Sequence, residues 1–250
     1  MKQILLRADD LGYSKAVNYG IYESVVHGVI NNVGVMVNMP ATQMGIDLLK
    51  EQAIDLGLHT VICAGKPLLP AKQVPSLIDE AGNFKVSRLY RQNQGADFVV
   101  LDEVVAEIEA QYQRFVALTG RKPDYFEGHA VTSENFAKGL AIVAKRHDLP
   151  LLAMPKQIGA AQSFKQATKF NFIMESMQDD YDPLAMLKRA VVSETMAIPM
   201  LVFHPGYLDQ EILTQSSLTV NRTKEVAMLT SLEVKQLLQD VECLRYSQCH

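Results

Sequence analysis

The chain has 250 residues, 48% of them hydrophobic and 21% charged, with a formal net charge of -4 at pH 7. That length supports one sizeable core, and the acidic balance gives no electrostatic reason to bind nucleic acid or an anionic membrane surface. No apolar run approaches the roughly 18 residues of a membrane span and the first residues do not resemble a signal segment, so the expected compartment is the cytoplasm. Cys63, Cys243 and Cys249 lack CxxC spacing, which argues against a disulfide framework.

Residues 2–8 read as a buried strand that climbs to two adjacent acids, Asp9 and Asp10, and turns at Gly12. Two like charges side by side are hard to ionise together unless a cation or a proton lies between them, so the pair is a candidate for metal binding or acid–base work. The plainer role is helix capping. Ser14 caps a predicted helix to about residue 26, with Ile21, Val25 and Val26 on its apolar face, Gly28 after it and His27 at its end. A strand over 33–38, a break at Pro40, a helix to about 51 and a strand over 55–60 carrying His59 complete a βαβαβ opening. That pattern signals a parallel sheet, doubly wound or closed into a barrel.

Residues 61–100 are punctuated by Pro67, Pro70, Pro75, Gly82 and Gly95, and their apolar content predicts a packed cover over part of a substrate cleft. Asp102 opens an amphipathic helix closed by Gly120 before Pro123. A strand over 124–129 again ends on a histidine, His129, and Ser133 caps a helix to about His147. Further strands are expected at 150–154, 170–174 and 200–204, the last ending on His204, whereas 157–169 has no clear period. Asp182-Pro183 starts another helix. Two helices, from about 221 and from 231, close the chain and would suit a homodimer.

Four strand ends thus carry ionisable groups: Asp9-Asp10, His59, Glu127-Gly128-His129 and His204. In parallel α/β folds the carboxyl ends of the strands share one rim, where sites form. Asp10, His59 and His129 can supply one carboxylate and two imidazoles to a divalent metal, Asp9 and His204 fit a general base and a general acid, and Glu127 can orient a ligating imidazole. By itself this spacing defines a metal-dependent hydrolase or isomerase. GxxxxGK[ST], GxGxxG and HExxH are absent.

These residues resemble the YdjC-like carbohydrate deacetylases, which include the chitooligosaccharide deacetylases. Ala8-Asp9-Asp10-Leu11-Gly12-Tyr13-Ser14 is similar to that family's A-D-D-[FL]-G-x-[ST] opening. Gly57-Leu58-His59-Thr60, His204-Pro205-Gly206-Tyr207 and Arg222-Thr223-Lys224-Glu225 match later motifs. The resemblance implies a single-domain α/β fold, a distorted (β/α) barrel of parallel strands with the site at their C-terminal ends. It implies removal of the acetyl group from an N-acetylated amino sugar, a small carbohydrate substrate, using a divalent metal held by Asp10, His59 and His129, with Asp9 as base and His204 as acid. Which of Asp9 and Asp10 plays which part stays open. Mg and Zn lead the candidates, and Mn, Ni and Co also suit mixed oxygen and imidazole ligation. One departure is clear: where the family reads D-S-H-x-H-x-H, this chain has Glu127-Gly128-His129-Ala130-Val131-Thr132-Ser133. Two rivals follow. The cluster could act on a phosphoester or a phosphorylated disaccharide, with Lys66, Arg88, Arg91 or Lys156 on the phosphate, or the protein could be a silent sugar-binding homologue.

Overall fold

The computed structural model describes residues 1–153 and 161–250. Its centre is β1 (Lys2–Leu11), buried from Ile4 onward on both faces, as the near-continuous apolar run of a central parallel strand requires. Ser14 caps α1 (Lys15–Val26), its Oγ accepting the Val17 N–H at 3.2 Å. β2 (Asn32–Val35), α2 (Thr42–Leu49) and β3 (Asp55–Thr60) complete the βαβαβ opening. α3 (Ser87–Gln92) follows in the irregular excursion, and α4 (Leu101–Thr119) ends at Gly120, whose φ of 72° is the left-handed turn a helix C-terminus favours. Then come β4 (Tyr125–Gly128), α5 (Glu134–His147), β5 (Ala161–Phe164), β6 (Thr168–Ile173), α6 (Pro183–Val192), β7 (Ile198–Phe203), α7 (Gln210–Gln215), α8 (Val220–Leu229), α9 (Leu232–Leu237) and β8 (Val241–Leu244).

Seven strands lie in the order β4-β3-β2-β1-β7-β6-β5, and β8 pairs the start of β1. Among the described residues all strand pairings are parallel except β5 with β6. The sheet curls into a half-barrel, and among the described residues β4 and β5 do not pair. Alternation along the strands sorts side chains into two layers. Ile4, Leu6, Ala8, Leu58, Phe126, Leu201 and Phe203 pack outward under the helices in the main core. Leu5, Tyr125, Phe170, Met200, Val202 and Tyr246 fill a smaller inner cluster, where each large apolar side chain contributes about 1.5–3 kcal/mol by burial. Arg7, Asp9, His59 and Glu127 continue the inner rows upward.

The structure corrects the sequence expectation in several places. β2 stops at Val35 rather than 38. The strand expected at 150–154 is an isolated parallel bridge between Leu151 and Phe126, and its last residue lies outside the described residues. Within 157–169, the first four positions also lie outside them, but 161–164 is a strand in an antiparallel hairpin with β6. α3, α7 and β8 are additional elements.

Candidate active site

The site is built on an irregularity in β1. In a regular strand Asp9 and Asp10 would face opposite sides, but the register with β2 shifts between Ala8 and Leu11, and Asp10 has φ 76°. A bulge of this kind re-aims a side chain, and aspartate tolerates the left-handed region better than most residues. Both carboxylates consequently reach His59. Gly12 (φ 103°) makes the turn that follows, where a Cβ would lie 2.7 Å from Met36 O.

Asp10, His59 and His129 converge. Asp10 Oδ1 lies 3.4 Å from His59 Nε2 and 3.4 Å from His129 Nδ1, and the two ring nitrogens are 2.8 Å apart. Donors about 2.0–2.2 Å from one divalent ion stand roughly 2.8–3.6 Å from each other, from right-angle to tetrahedral arrangements, so these three atoms have the spacing of a common ligand set. Asp10 Oδ1 is buried and, among the described residues, has no hydrogen-bond partner, while Arg222 Nη2 occupies Oδ2 at 2.7 Å. An orphaned carboxylate oxygen between two imidazoles fits a cation. Burial opposes charge on Asp10, yet Arg222 and His59 hold its carboxyl well below the usual range.

His59 is oriented from behind by Glu127, whose Oε1 meets Nδ1. With that nitrogen donating, Nε2 presents its lone pair to the cluster, the arrangement by which a carboxylate fixes a metal-ligating histidine. Burial opposes the His59 charge, but Glu127, Asp9 and Asp10 outweigh it and raise its pKa well above the ordinary value, so a metal ion at Nε2 would take the place of a proton there. Burial pushes His129 down to about 4. Cys63, whose thiol contacts His129 O at 3.9 Å, is pushed up to about 12 by burial and stays protonated.

Asp9 lies one layer deeper. Its Oδ2 accepts Arg7 Nη2 at 2.7 Å, and the same guanidinium lies 3.8 Å from Glu127 Oε2 and donates to the Tyr246 hydroxyl at 3.3 Å. β2 leaves room for it: a Cβ on Gly34 would sit 2.6 Å from Asp9 Oδ1. Gly128 is equally constrained, since its Cβ would press on the Phe136 ring of α5 at 2.5 Å. The glycine at this departure from the family pattern therefore admits a packed helix.

His204 follows the inward row Met200–Val202 off the end of β7. Its Nδ1 faces Ser176 Oγ at 3.4 Å, its N–H donates to Glu225 Oε2 at 2.5 Å, and its carbonyl accepts from Arg222 Nη1 at 3.2 Å. Burial pushes the ring down to about 4 against Asp10 and Asp9, which favour its charged form. The structure thus gathers Asp9, Asp10, His59 and His129, and joins His204 to them through Arg222. His147 lies apart, paired with Glu109 at 2.6 Å. Lys66, Arg88 and Arg91 are exposed, and Lys156 lies outside the described residues. Sequence reasoning missed Arg7, which sits in an apolar run, and gave no role to Arg222 or Glu225.

The profile of the YdjC-like protein family matches residues 3–240. A carbohydrate deacetylase of Clostridium beijerinckii is 30% identical over 247 residues, 95% of each chain. A chitooligosaccharide deacetylase of Serratia marcescens is 29% identical, over 96% of this chain and 95% of the other. A crystal structure from Enterococcus faecalis, provisionally described as a cellobiose-phosphate cleavage protein, superposes with a TM-score of 0.79 at 26% identity, over 98% of this chain and 97% of that one.

Proposed function

The chain belongs to the YdjC-like protein family, and on that premise we propose that it is a carbohydrate deacetylase, a metal-dependent amide hydrolase that frees acetate from an N-acetylated amino sugar or short chitooligosaccharide. The observation that carries this reading is Asp10 Oδ1, buried without a hydrogen-bond partner between His59 Nε2 and His129 Nδ1. Held by these three atoms, a divalent ion supplies Lewis acidity beside the scissile carbonyl.

The protein's own groups do the rest. Each carboxylate has one oxygen on an arginine, Asp9 on Arg7 and Asp10 on Arg222, and one left unpaired among the described residues; Asp10 is the ligand rather than the base because its unpaired oxygen is the one that faces both imidazoles. Asp9 takes the proton of the attacking water, and Arg7 keeps that carboxylate in place. His204 gives a proton to the departing amine. Exchange with solvent then resets Asp9 and His204, so one proton leaves the water and one reaches the nitrogen. Glu127 holds the His59 tautomer throughout.

The test is acetate release from N,N′-diacetylchitobiose and from its 6-phosphate by protein stripped with a chelator and reloaded with single divalent ions. Metal-dependent release, absent in Asp9→Asn, is expected. A stoichiometrically loaded protein that releases acetate from neither sugar contradicts the reading. Preference between the two sugars decides whether a phosphate is recognised.

A further inference from the structure

Helix α8 carries two ionisable residues that solvent barely reaches, Arg222 at 2% exposure and Glu225 at 0%. Three positions apart, they share one face of the helix. Burying both runs against the usual division of a helix into an apolar inner face and a charged outer one, and demands specific partners. Arg222 donates from Nε to Leu218 O at 3.0 Å, from Nη1 to His204 O at 3.2 Å and from Nη2 to Asp10 Oδ2 at 2.7 Å. Glu225 receives the His204 N–H at 2.5 Å on one oxygen and the Tyr181 hydroxyl at 2.8 Å on the other.

His204 is therefore gripped by its backbone N–H and its own carbonyl, both from α8, while among the described residues its ring has a single hydrogen-bond partner, Ser176 Oγ at 3.4 Å. The topology explains why a grip is needed. The β1–β7 ladder ends at Ala8 opposite Phe203, so Asp10 and His204 both lie beyond the last paired residues. Past that point the Arg222 guanidinium spans the gap between the two strand ends.

We propose that Arg222 and Glu225 are positioning residues for His204, and that α8 acts as a splint setting the place of the proton donor relative to Asp10. The proposal rests on the deacetylase reading above. Its consequence is selective. A misplaced donor harms departure of an amine, which must be protonated, far more than departure of a nitrophenolate, which leaves without help.

The experiment compares kcat and KM for N,N′-diacetylchitobiose and for 4-nitrophenyl acetate on the metal-loaded full chain. Glu225→Ala should lower kcat on the amide about 10²-fold with little change in KM, and raise the ester-to-amide ratio at least about tenfold. Glu225→Gln, which offers a carbonyl oxygen to the His204 N–H and an amide to Tyr181, should restore the wild-type ratio. Arg222→Lys, a point charge in place of a three-way bridge, should shift the ratio as Glu225→Ala does while still retaining one divalent ion per chain by elemental analysis. If Glu225→Ala does not fold, Arg222→Lys and Tyr181→Phe carry the test. Amide and ester falling together overturns the proposal, as does loss of the ion from Arg222→Lys or a folded Glu225→Gln that shifts the ratio as Glu225→Ala should. Wild-type protein that cleaves the ester but no N-acetyl sugar overturns the deacetylase reading itself.

Discussion

The two sides of the half-barrel mouth are made differently. On one side Asp10 sits in the β1 bulge between the residues paired with β2, and His59 and His129 sit at or just past the ends of β3 and β4, where sheet hydrogen bonds fix their backbones: His129 N–H, one residue beyond β4, still donates to Thr60 O at 2.8 Å. On the other side His204 stands past the last pairing of β7, held by side chains from a helix 18 and 21 residues further on. The contrast teaches where each function can be placed. Ligands that must share one ion need fixed spacing, which a ladder provides, whereas a group placed beyond the ladder needs a separate brace.

The largest effects should come from the ladder side. His59→Ala or His129→Ala should lose the bound ion together with turnover, by at least about 10²–10³-fold, measured as metal content and acetate release on one sample. An ion retained with normal turnover in either variant breaks the ligand assignment. Beneath them, Arg7→Ala leaves Asp9 and Glu127 buried without their cation and should destabilise the fold by about 3–5 kcal/mol in urea unfolding. Gly34→Ala should push Asp9 Oδ1 out of its place, since the new Cβ would stand 2.6 Å from it, lowering kcat about tenfold with metal content unchanged.

The smallest effect belongs to the braced side and appears in stability rather than turnover. Burial raises Glu225 from 4.5 to about 8, against Tyr181, the His204 N–H and Arg222. Between those values the folded chain holds a proton that the unfolded chain has released, so this contribution is full in acid and is lost as pH rises through the window. Glu225→Gln should flatten that part of the stability–pH curve, measured by denaturant unfolding at pH 5, 6, 7 and 8.

The ladder side was legible in the sequence because each of Asp9, Asp10, His59 and His129 ends an apolar run, and strand ends on one rim are neighbours in parallel folds. The bulge that turns Asp10 inward was not, since nothing in Ala8-Asp9-Asp10-Leu11 reports a register shift. Arg7 was hidden by its apolar neighbours. The β5–β6 hairpin escaped because its turn has Lys165 at φ 52° where glycine or asparagine would have signalled it, and because the buried Gln162 breaks the alternation of β5. Arg222 and Glu225 stood in a motif matched by resemblance, but their separation from His204 carries no structural information until the chain is folded.

The most direct test follows acetate release from N,N′-diacetylchitobiose as stripped protein is titrated with one divalent ion and bound metal is counted. The account predicts release that rises in proportion to bound ion and saturates at one per chain, with no rise in Asp10→Ala. Full release from the stripped protein, or release that is indifferent to the Asp10 site, would contradict it.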